Sequence, residues 1–424
     1  MSGTLTVGKL ILTNTDLTPL NHDAYDRLRV SMPYTLFDDS ASPIDTNPTI
    51  YDTVTTNGTI LGSNNSVILS SNGGGGSRII YQTFKYIPTQ PGKSKLAIFT
   101  SALATSSGAT SRIGLFDSAT DKTIIHGTGS GVFFQYSNST CSVCLRNISI
   151  DAHDIVINQS SWNIDTLQGS GPSGISITSA SDWSKILVFV IDMQWFGRVR
   201  FGLYVGGTLY YVHSVDGYDP DTGSAFVGMK LPVRHELVVT EGSAIAILTY
   251  ISASVISEGG YPVTSLPLAF IPSAVTSLNT NGTDTIVLSL SLDPSEPYNR
   301  STISSISLSL NVTKLSCYKI FLVPNKELIG SSSFNRVPGS GTVVTYSSSG
   351  STIPTSPTST LIMVGFVSTI TSVSLPPDFM GVTLDTGITG VSQVLTLTVA
   401  DITGTGNVAQ GHAQASCSFN LIRS

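Results

Sequence analysis

The stretch from Lys185 to Ser214 constrains the fold more than any other, because it holds two strand-like runs, then a pair of glycines and a return strand through Tyr211. Residues 186–191 form an unbroken aliphatic and aromatic run, which is too short to span a membrane and favours a strand buried on both faces. Residues 198–205 alternate between apolar and polar side chains, as a half-buried strand does. Gly206 and Gly207 can both adopt positive φ in a tight turn. The stretch therefore predicts a hairpin in the middle of an antiparallel β-structure.

Most of the remaining sequence repeats this pattern of short apolar or alternating runs, separated by Gly, Pro, Asn and Asp. Because few stretches have a helical period, the pattern predicts an all-β fold with two antiparallel domains, each a β-sandwich or jelly-roll-like structure. The predicted main domain covers residues 40–262, and a second, smaller domain covers residues 263–424. Residues 1–39 are predicted to form an extended N-terminal arm.

Two finer expectations follow from local composition. Residues 63–77 are mostly Ser, Asn and Gly, so they predict a loop. In the second domain, apolar residues alternate with Ser, Thr or Asn near residues 286–292, 305–312 and 395–399. This alternation predicts strands with an apolar inner face and a mainly hydroxyl outer face.

The overall composition narrows the classes of protein to which the chain can belong. Charged residues make up only 11% of its 424 residues, and the net charge of −6 argues against a dedicated nucleic-acid binder. No apolar run approaches the roughly 20 residues of a membrane-spanning helix. The N-terminus lacks the charged start and long apolar centre of a signal peptide. We therefore expect synthesis in a cytoplasm, no membrane span, and export through particle release.

The cysteines are expected to be free. Cys141 and Cys144 form a Cys-x-x-Cys, whereas Cys317 and Cys417 lie far downstream. A zinc site needs two further ligands at suitable spacing, and the nearby sequence offers none. If residues 141–144 form a strand, the first two thiols point to opposite faces. Buried free thiols are thus favoured over metal or redox chemistry, and a bridge between Cys317 and Cys417 is an open alternative.

One acidic cluster has the composition of some calcium-binding turns. Asp216, Asp219 and Asp221 lie close together in a segment that ends at Gly223, and calcium prefers such carboxylate oxygens. The segment lacks the spacing and the closing glutamate of an EF-hand, and aspartate and glycine are also ordinary turn residues. We expect no cofactor, with calcium at these aspartates as the alternative.

No catalytic motif stands out, so the chain is expected not to be an enzyme. Glycoside hydrolysis needs two carboxyl groups about 5 to 10 Å apart in a cleft. Glu236 is one of few glutamates in the first domain, and it shares a strand face with Arg234. An ion pair between these two side chains is the simpler expectation. No Gly-x-Ser-x-Gly segment indicates a nucleophilic serine.

Aromatic side chains cluster on the predicted hairpin. Tyr204, Tyr210 and Tyr211 could stack on sugar rings or anchor a protein partner if they are exposed. If they are buried, they belong to the core, which is the commoner situation.

The N-terminal arm is the predicted assembly element. It could add a strand to the sheet of a neighbouring subunit while its apolar side chains fill pockets. In that case deletion of residues 1–39 leaves a folded monomer that no longer assembles. The alternative is that the arm packs on its own domain, and deletion then abolishes folding. The residues expected to make the contacts are Arg27, Leu28, Arg29, Val30, Tyr34, Leu36 and Phe37.

The same segment carries a resemblance to a known family. Residues 26–38 read Asp-Arg-Leu-Arg-Val-Ser-Met-Pro-Tyr-Thr-Leu-Phe-Asp, which resembles the opening signature of virion structural proteins of tailed phages and large double-stranded DNA viruses. The resemblance extends over about residues 22–262 and implies a particle component on a capsid or tail, without known catalysis. The further matching segments are residues 90–94, 111–117, 161–165, 194–202, 231–234 and 255–261.

These observations predict a structural component of a virus particle, such as a minor capsid or tail protein, that acts through assembly. Its expected partners are other virion proteins and copies of itself in a homo-oligomer, for which a trimer is one candidate. The alternative is a carbohydrate- or receptor-binding adhesin, a fibre or spike of the virion that recognises a glycan on the host surface.

Overall fold

The computed structural model divides the chain into two compact units. Unit 1 comprises Met1–Asn47, Thr53–Gln82 and Tyr86–Tyr261, and unit 2 comprises Pro48–Asp52, Thr83–Lys85 and Pro262–Ser424. The residues that the structure describes are 23–24, 29, 32–41, 46, 50–88, 93–118, 129–147, 154–194, 197–216, 218–219, 223–224, 230–242, 245–259, 266–270, 276–277, 284–292, 300–312, 316–323, 335–336, 344–347, 360–367, 371–374, 383–384, 393–401 and 411–422.

The strands up to Glu258 build two large antiparallel sheets and one two-stranded sheet. They are β1 (Pro33–Ser40), β2 (Tyr51–Thr56), β3 (Gly58–Ser63), β4 (Ser66–Ser71), β5 (Ser77–Pro88), β6 (Ser94–Ala102), β7 (Ala109–Phe116), β8 (Ser130–Ser137), β9 (Thr140–Asn147), β10 (Ile155–Asn158), β11 (Leu187–Gln194), β12 (Arg198–Val205), β13 (Thr208–Asp216), β14 (Tyr218–Asp219), β15 (Gly223–Ser224), β16 (Lys230–Val239) and β17 (Ile247–Glu258).

The first sheet, sheet A, has the order β13-β12-β11-β6-β17-β4-β3, and β1 also pairs with β17. The second, sheet B, has the order β10-β9-β8-β7-β16-β5-β2, and β14 pairs with β15 separately. The helical turns in the described residues are short: a 3-10 turn at Gln159–Ser161 and α1 at Ala180–Trp183.

The remaining strands form two six-stranded sheets, with the orders β18-β29-β21-β26 and β23-β24-β20-β28-β22-β25; β19 also pairs with β29, and β27 with β21. They are β18 (Leu266–Phe270), β19 (Thr276–Ser277), β20 (Thr285–Leu292), β21 (Arg300–Val312), β22 (Ser316–Val323), β23 (Asn335–Arg336), β24 (Val344–Ser347), β25 (Thr360–Val367), β26 (Thr371–Ser374), β27 (Thr383–Leu384), β28 (Val394–Asp401) and β29 (Gly411–Ile422).

The predicted all-β antiparallel fold is confirmed. The hairpin that the sequence placed at the centre is β12–β13, and Gly206 and Gly207 adopt φ of 58° and 84° in its turn. The strand β11 begins at Leu187, one residue later than the apolar run, because Ile186 is exposed. It pairs with β6 on one side and β12 on the other, which explains why the run has no polar alternation at its start.

Aromatic rings fill the space between sheets A and B. Phe134 of sheet B contacts Phe189 and Phe201 of sheet A, with ring centroids 5.1 and 5.3 Å apart. A second contact joins His235 of sheet B and Tyr250 of sheet A, whose ring centroids lie 4.8 Å apart. All these side chains are buried, so the apolar faces of the two sheets form one core.

A loop that precedes α1 is fixed to the edge strand β13. Asn163 exchanges two hydrogen bonds with the backbone of Ser214, at 2.8 and 2.9 Å. The carboxylate of Asp165 accepts hydrogen bonds from the backbone N–H groups of Leu167 and Ser173. These contacts occupy two polar side chains of the segment 161–165, one of those that carry the resemblance to virion proteins.

The strand β1 pairs with β17 of its own chain. The antiparallel register runs from Pro33 opposite Glu258 to Ser40 opposite Ser252, with a bulge in between. Leu36 and Phe37 are buried, so they contribute to the core of unit 1. In this structure residues 33–40 are therefore a strand of sheet A and not a free arm, which corresponds to the alternative that the sequence left open.

The segment 63–77 contains the strand β4, where the composition predicted only a loop. Val67 and Leu69 are fully buried, and β4 pairs with both β3 and β17. Two apolar side chains on one face are enough to hold a short strand in a sheet, although Ser, Asn and Gly dominate the segment.

The expected hydroxyl outer face in the second domain is wrong where β20 pairs with β28. Ser289, Ser291, Thr396 and Thr398 are all buried together with the apolar residues of the same strands. The hydroxyls of Ser289 and Thr396 lie 3.1 Å apart, so hydrogen bonding across the strands satisfies part of this face.

Cys141, Cys144 and Cys317 are free and buried, as the sequence predicted. Burial raises the pKa of Cys144 to about 12, which keeps its thiol protonated and unreactive near neutral pH. Within the described residues, no helix has the length and apolar composition needed to cross a membrane.

We predict that β1 contributes core stability. Phe37→Ala should lower the free energy of unfolding by about 3–5 kcal/mol, because it removes a buried aromatic ring. The matched control is Tyr34→Ala on the same strand, where the side chain is 46% exposed and the effect should be below about 1 kcal/mol. Urea unfolding curves of the three proteins test this; equal losses for both variants would contradict it.

We also predict an acid-sensitive core at His235. Burial lowers the pKa of His235 to about 3, and its Nε2 lies 3.1 Å from the hydroxyl of Ser101. As pH falls below about 6.5, the unfolded chain binds a proton that the folded chain does not, so stability falls by about 1.4 kcal/mol per pH unit. His235→Gln should flatten this slope between pH 6 and 4 in urea titrations. Identical slopes in both proteins would rule this out.

Candidate functional site

The outer face of sheet A carries a buried carboxylate at its centre. Asp192 lies on β11 directly opposite Arg200 of β12, and its side chain is completely buried. Residues 189, 191 and 193 of the same strand face the core, so strand alternation directs Asp192 to the other face. A buried ionised carboxylate is costly unless it is paired, and its surroundings supply the pairing.

Two guanidinium groups hold this carboxylate. Arg200 contacts one carboxylate oxygen at 2.9 Å, and Arg29 contacts the other at 2.8 Å. The hydroxyl of Tyr211 donates a further hydrogen bond to Asp192 at 3.2 Å, and Arg200 stacks over the ring of Tyr211 at 4.2 Å. Arg200 also donates to the backbone carbonyl of Asp23. We call these five residues the Asp192 cluster.

The cluster fastens the N-terminal segment to sheet A. Asp23 and Ala24 are buried beside it, and Arg29 is the residue of the virion-like signature that reaches Asp192. Burial raises the pKa of Tyr211, and the carboxylate of Asp192 raises it further, so the phenol stays a hydrogen-bond donor.

Next to the cluster lies a partly buried surface with two tyrosine rings. Tyr204, Ile98 and Tyr211 are partly buried and pack on a buried layer. That layer consists of Leu96, Val190 and Leu209. We call these six side chains the Tyr204 surface, and it shares Tyr211 with the Asp192 cluster.

Hydroxyl groups border the Tyr204 surface on the neighbouring strands. Thr100 lies two residues beyond Ile98 on β6, and Ser252 and Ser254 lie opposite these two positions on β17. Residues two apart on a strand share a face, so all three hydroxyls belong to the same face of sheet A. Ser252 donates a hydrogen bond to Thr100 at 3.0 Å.

Sheet B carries a second buried ionic cluster on its outer face. Glu236 contacts Arg112 at 2.7 Å and also pairs with Arg234, so the predicted ion pair between Arg234 and Glu236 is confirmed. Gln82 and Gln135 accept hydrogen bonds from these arginines. Burial alone would raise the pKa of Glu236, but the two guanidinium groups outweigh it and hold the pKa below its usual range. A carboxylate so strongly ionised is a poor general acid.

The predicted tyrosines do not act together. Tyr204 and Tyr211 share the outer face of sheet A, whereas Tyr210 lies opposite Leu203 and therefore on the other face of β13. The hydroxyl and ring of Tyr211 are already engaged by Asp192 and Arg200. Of the three, Tyr204 is the best placed to meet a ligand.

The other predicted site residues are dispersed. Tyr34 is exposed on β1, while Leu36 and Phe37 on the same strand are buried. Asp216 is exposed and pairs with Arg198 at 2.8 Å. In the part of the chain that the structure describes, no three His, Cys, Asp or Glu side chains come together as metal ligands, and calcium stays a prediction. Outside the described residues lie Arg27, Leu28, Val30, Asp221 and the side chain of Asp219.

Asp192 was not among the site residues predicted from the sequence, although the sequence around it indicates a buried acid. It is the only charged residue in the run Leu-Val-Phe-Val-Ile-Asp-Met-Gln that forms β11. A lone acid in a strand paired on both sides must find a cationic partner on the neighbouring strand or from elsewhere in the chain. Arg200, on the polar side of the next strand-like run, was one visible candidate; Arg29 was not identifiable from spacing.

The sequence matches no protein-family model and no curated protein. Solved structures similar to the chain include a beta-1,3-1,4-glucanase (lichenase) derived from a mouse hindgut metagenome, with TM-score 0.35, 8% identity, and coverage of 52% of this chain and 99% of that one. A Bacillus licheniformis beta-glucanase has TM-score 0.31, 10% identity, and coverage of 55% and 95%. Arcelin-5, a lectin-like defense protein of Phaseolus vulgaris, has TM-score 0.35, 12% identity, and coverage of 53% and 98%.

The glucanases correct one expectation from the sequence. Two of these three structures are glucanases, and this finding overturns the expectation that the chain is not an enzyme. That expectation rested on the lack of a recognisable linear motif. Because strand pairing brings together acids that are distant in sequence, a motif search is a weak basis for excluding catalysis. The virion resemblance stays a prediction.

We predict that Asp192 is essential to the fold, whereas the exposed ion pair between Arg198 of β12 and Asp216 of β13 is not. Asp192→Ala leaves Arg29 and Arg200 without their carboxylate and should lower the free energy of unfolding by about 3–5 kcal/mol. Asp216→Ala breaks the exposed pair with Arg198 and should have an effect below about 1 kcal/mol. Urea unfolding of both variants gives the comparison, and a loss for Asp192→Ala no larger than for Asp216→Ala would refute the assignment.

Proposed function

We propose that the chain is a carbohydrate-binding protein of a virus particle, an adhesin that recognises a neutral glycan at the Tyr204 surface. The observation that carries this proposal is a partly buried tyrosine ring held on a sheet beside a row of hydroxyl groups. Placement on a virus particle rests on the resemblance of residues 22–262 to virion structural proteins. Assembly with copies of itself and with other virion proteins belongs to the same proposal.

The chemistry of the surface suits a sugar ring. A pyranose presents apolar C–H groups on one face and hydroxyls around its edge, so it pairs an aromatic ring with hydrogen-bonding neighbours. Tyr204 offers the ring, and Thr100, Ser252 and Ser254 offer hydroxyls on the same face of the sheet.

The charged groups described beside this surface favour a neutral ligand over an acidic one. The Asp192 cluster is the adjacent ionic group, and it is buried and internally paired. The whole chain carries a net charge of −6 and only 11% charged residues. Asp38 is a further, exposed acid opposite Ser254. An acidic glycan would therefore meet a repulsive field.

The surface is also preorganised. Tyr204 rests on the buried side chains of Leu96, Val190 and Leu209, and its strand lies between β11 and β13. A ring held in this way loses little conformational entropy when a ligand stacks on it, so even a shallow contact can give measurable affinity.

We predict that Tyr204→Ala weakens glycan binding at least about five-fold, the equivalent of about 1 kcal/mol, because the stacking ring is lost. Tyr210→Ala is the matched control, since Tyr210 lies on the other face of the neighbouring strand and should leave binding unchanged. A broad array of neutral and acidic glycans identifies the ligand, and titration of the bound neutral glycan with each variant measures the affinity.

Two outcomes would count against the proposal. If the folded protein bound no glycan on the array, carbohydrate recognition would be ruled out. If binding persisted in Tyr204→Ala but was lost in Tyr210→Ala, the site would lie on the other face of the sheet. Release of reducing sugar from any bound polysaccharide, followed in the same samples, reports whether recognition is accompanied by hydrolysis.

A further inference from the structure

The outer face of sheet A carries a row of five residues, one from each of five neighbouring strands. In the strand register, Val188 lies between Tyr204 of β12 and Thr100 of β6. Ser252 of β17 is the next partner of Thr100, and Ser40 of β1 is in turn the partner of Ser252. Neighbouring strands lie about 4.8 Å apart, so the row extends about 19 Å from Tyr204 to Ser40.

A second row runs beside the first, two residues away along each strand. It contains Val190, Ile98 and Ser254, and it ends at Asp38 of β1. Residues two apart on a strand point to the same face of the sheet, so both rows belong to one surface. We call the two rows together the transverse strip.

The chemistry of the transverse strip changes from one end to the other. It begins with the ring of Tyr204, continues through side chains of β11 and β6, and reaches the hydroxyls of Ser252 and Ser254. Ser40 and Asp38 complete it on β1, and both are exposed. An ionised carboxylate only accepts hydrogen bonds, and the hydroxyls of a sugar donate them. The strip therefore offers a stacking ring at one end and a strong hydrogen-bond acceptor at the other.

One side of the transverse strip is already occupied. The adjacent row contains Leu96 and Asp192, which are buried, and Arg29 of the N-terminal segment reaches Asp192 at 2.8 Å. By contrast, Thr100 and Ser252 within the strip are only partly buried. A branch on a bound chain would meet the packed side chains beside the strip. A ligand that follows the strip is therefore unbranched on that side.

We propose that the transverse strip binds an unbranched, neutral oligosaccharide of about four or five equatorially linked sugar residues, laid across the strands from Tyr204 to Asp38. This inference rests on the function proposed above and specifies its ligand. A hexose ring is about as wide as the spacing between two strands, so a single sugar covers only one end of the strip. Equatorial linkages keep the chain extended along the row, whereas axial linkages curve it away.

Titration with oligosaccharides of increasing length tests the strip. The β-1,4-linked series of glucose, mannose and N-acetylglucosamine, from one to six residues, have equatorial linkages. The α-1,4-linked glucose series, with an axial bond at each linkage, is the control. In at least one equatorial series, affinity should rise about ten-fold or more between the disaccharide and the pentasaccharide and then level off. The axial series should show no such rise. NMR titrations measure the weak binding of the short members.

Two substitutions locate the ends of the bound chain. Asp38→Ala should weaken pentasaccharide binding about five-fold and leave disaccharide binding unchanged, because only the longer chain reaches this carboxylate. Tyr204→Ala should weaken the binding of both. Asp216→Ala is the matched control for Asp38→Ala, since Asp216 is also an exposed acid but lies at the end of β13. Urea unfolding establishes that each variant is folded before its binding is compared.

The outcomes distinguish this inference from the proposed function. The transverse strip is overturned if Tyr204-dependent binding does not grow with chain length, is equal in the axial series, or is unchanged for the pentasaccharide in Asp38→Ala. It is also overturned if none of the equatorial series binds while another glycan on the array binds in a Tyr204-dependent way. In each of these cases carbohydrate recognition at the Tyr204 surface stands. If no glycan binds at all, both proposals fall.

Discussion

Two buried carboxylates, Asp192 and Glu236, each lie between two guanidinium groups, and much of unit 1 is arranged to satisfy them. The interior between the sheets is mainly aromatic and aliphatic, and both carboxylates lie on the outer faces, where they are nevertheless buried. An unpaired charge there would lower the stability of the fold by several kcal/mol. The pairing of Asp192 with Arg29 therefore holds the N-terminal segment on sheet A. The position of β1 beside β17 follows from the same anchor.

This arrangement links stability to recognition on sheet A. Tyr211 belongs both to the Asp192 cluster and to the Tyr204 surface, so the ionic anchor also braces the aromatic surface. The charges of the cluster are paired with one another. Next to it lie a partly buried tyrosine ring, aliphatic groups and hydroxyls. A surface of this kind fits the carbohydrate-binding role proposed above. It also agrees with the low proportion of charged residues in the whole chain.

Sequence-based prediction was correct for features that depend on neighbours along the chain. The hairpin at Gly206 and Gly207 needed only local turn chemistry, and the free thiols and the pair Arg234–Glu236 needed only strand alternation. It failed where burial was decided by a distant strand. In the sequence, Val67 and Leu69 are two apolar residues in a polar segment, and only the pairing of β4 with β17 shows that they belong to a strand. The hydroxyls of the second domain were expected to face solvent, because composition does not show what covers a sheet face.

The sequence by itself determined an all-β antiparallel chain, since alternation with period two and glycine turns are local properties of the backbone. Only the tertiary structure decided that Arg29 meets Asp192, that the virion-like signature leads into a strand of its own sheet, and that Tyr211 is engaged by Asp192. The physical reason is that pairing between distant strands fixes which faces are buried. A buried charge then selects its partner by proximity in space, which spacing along the chain does not encode.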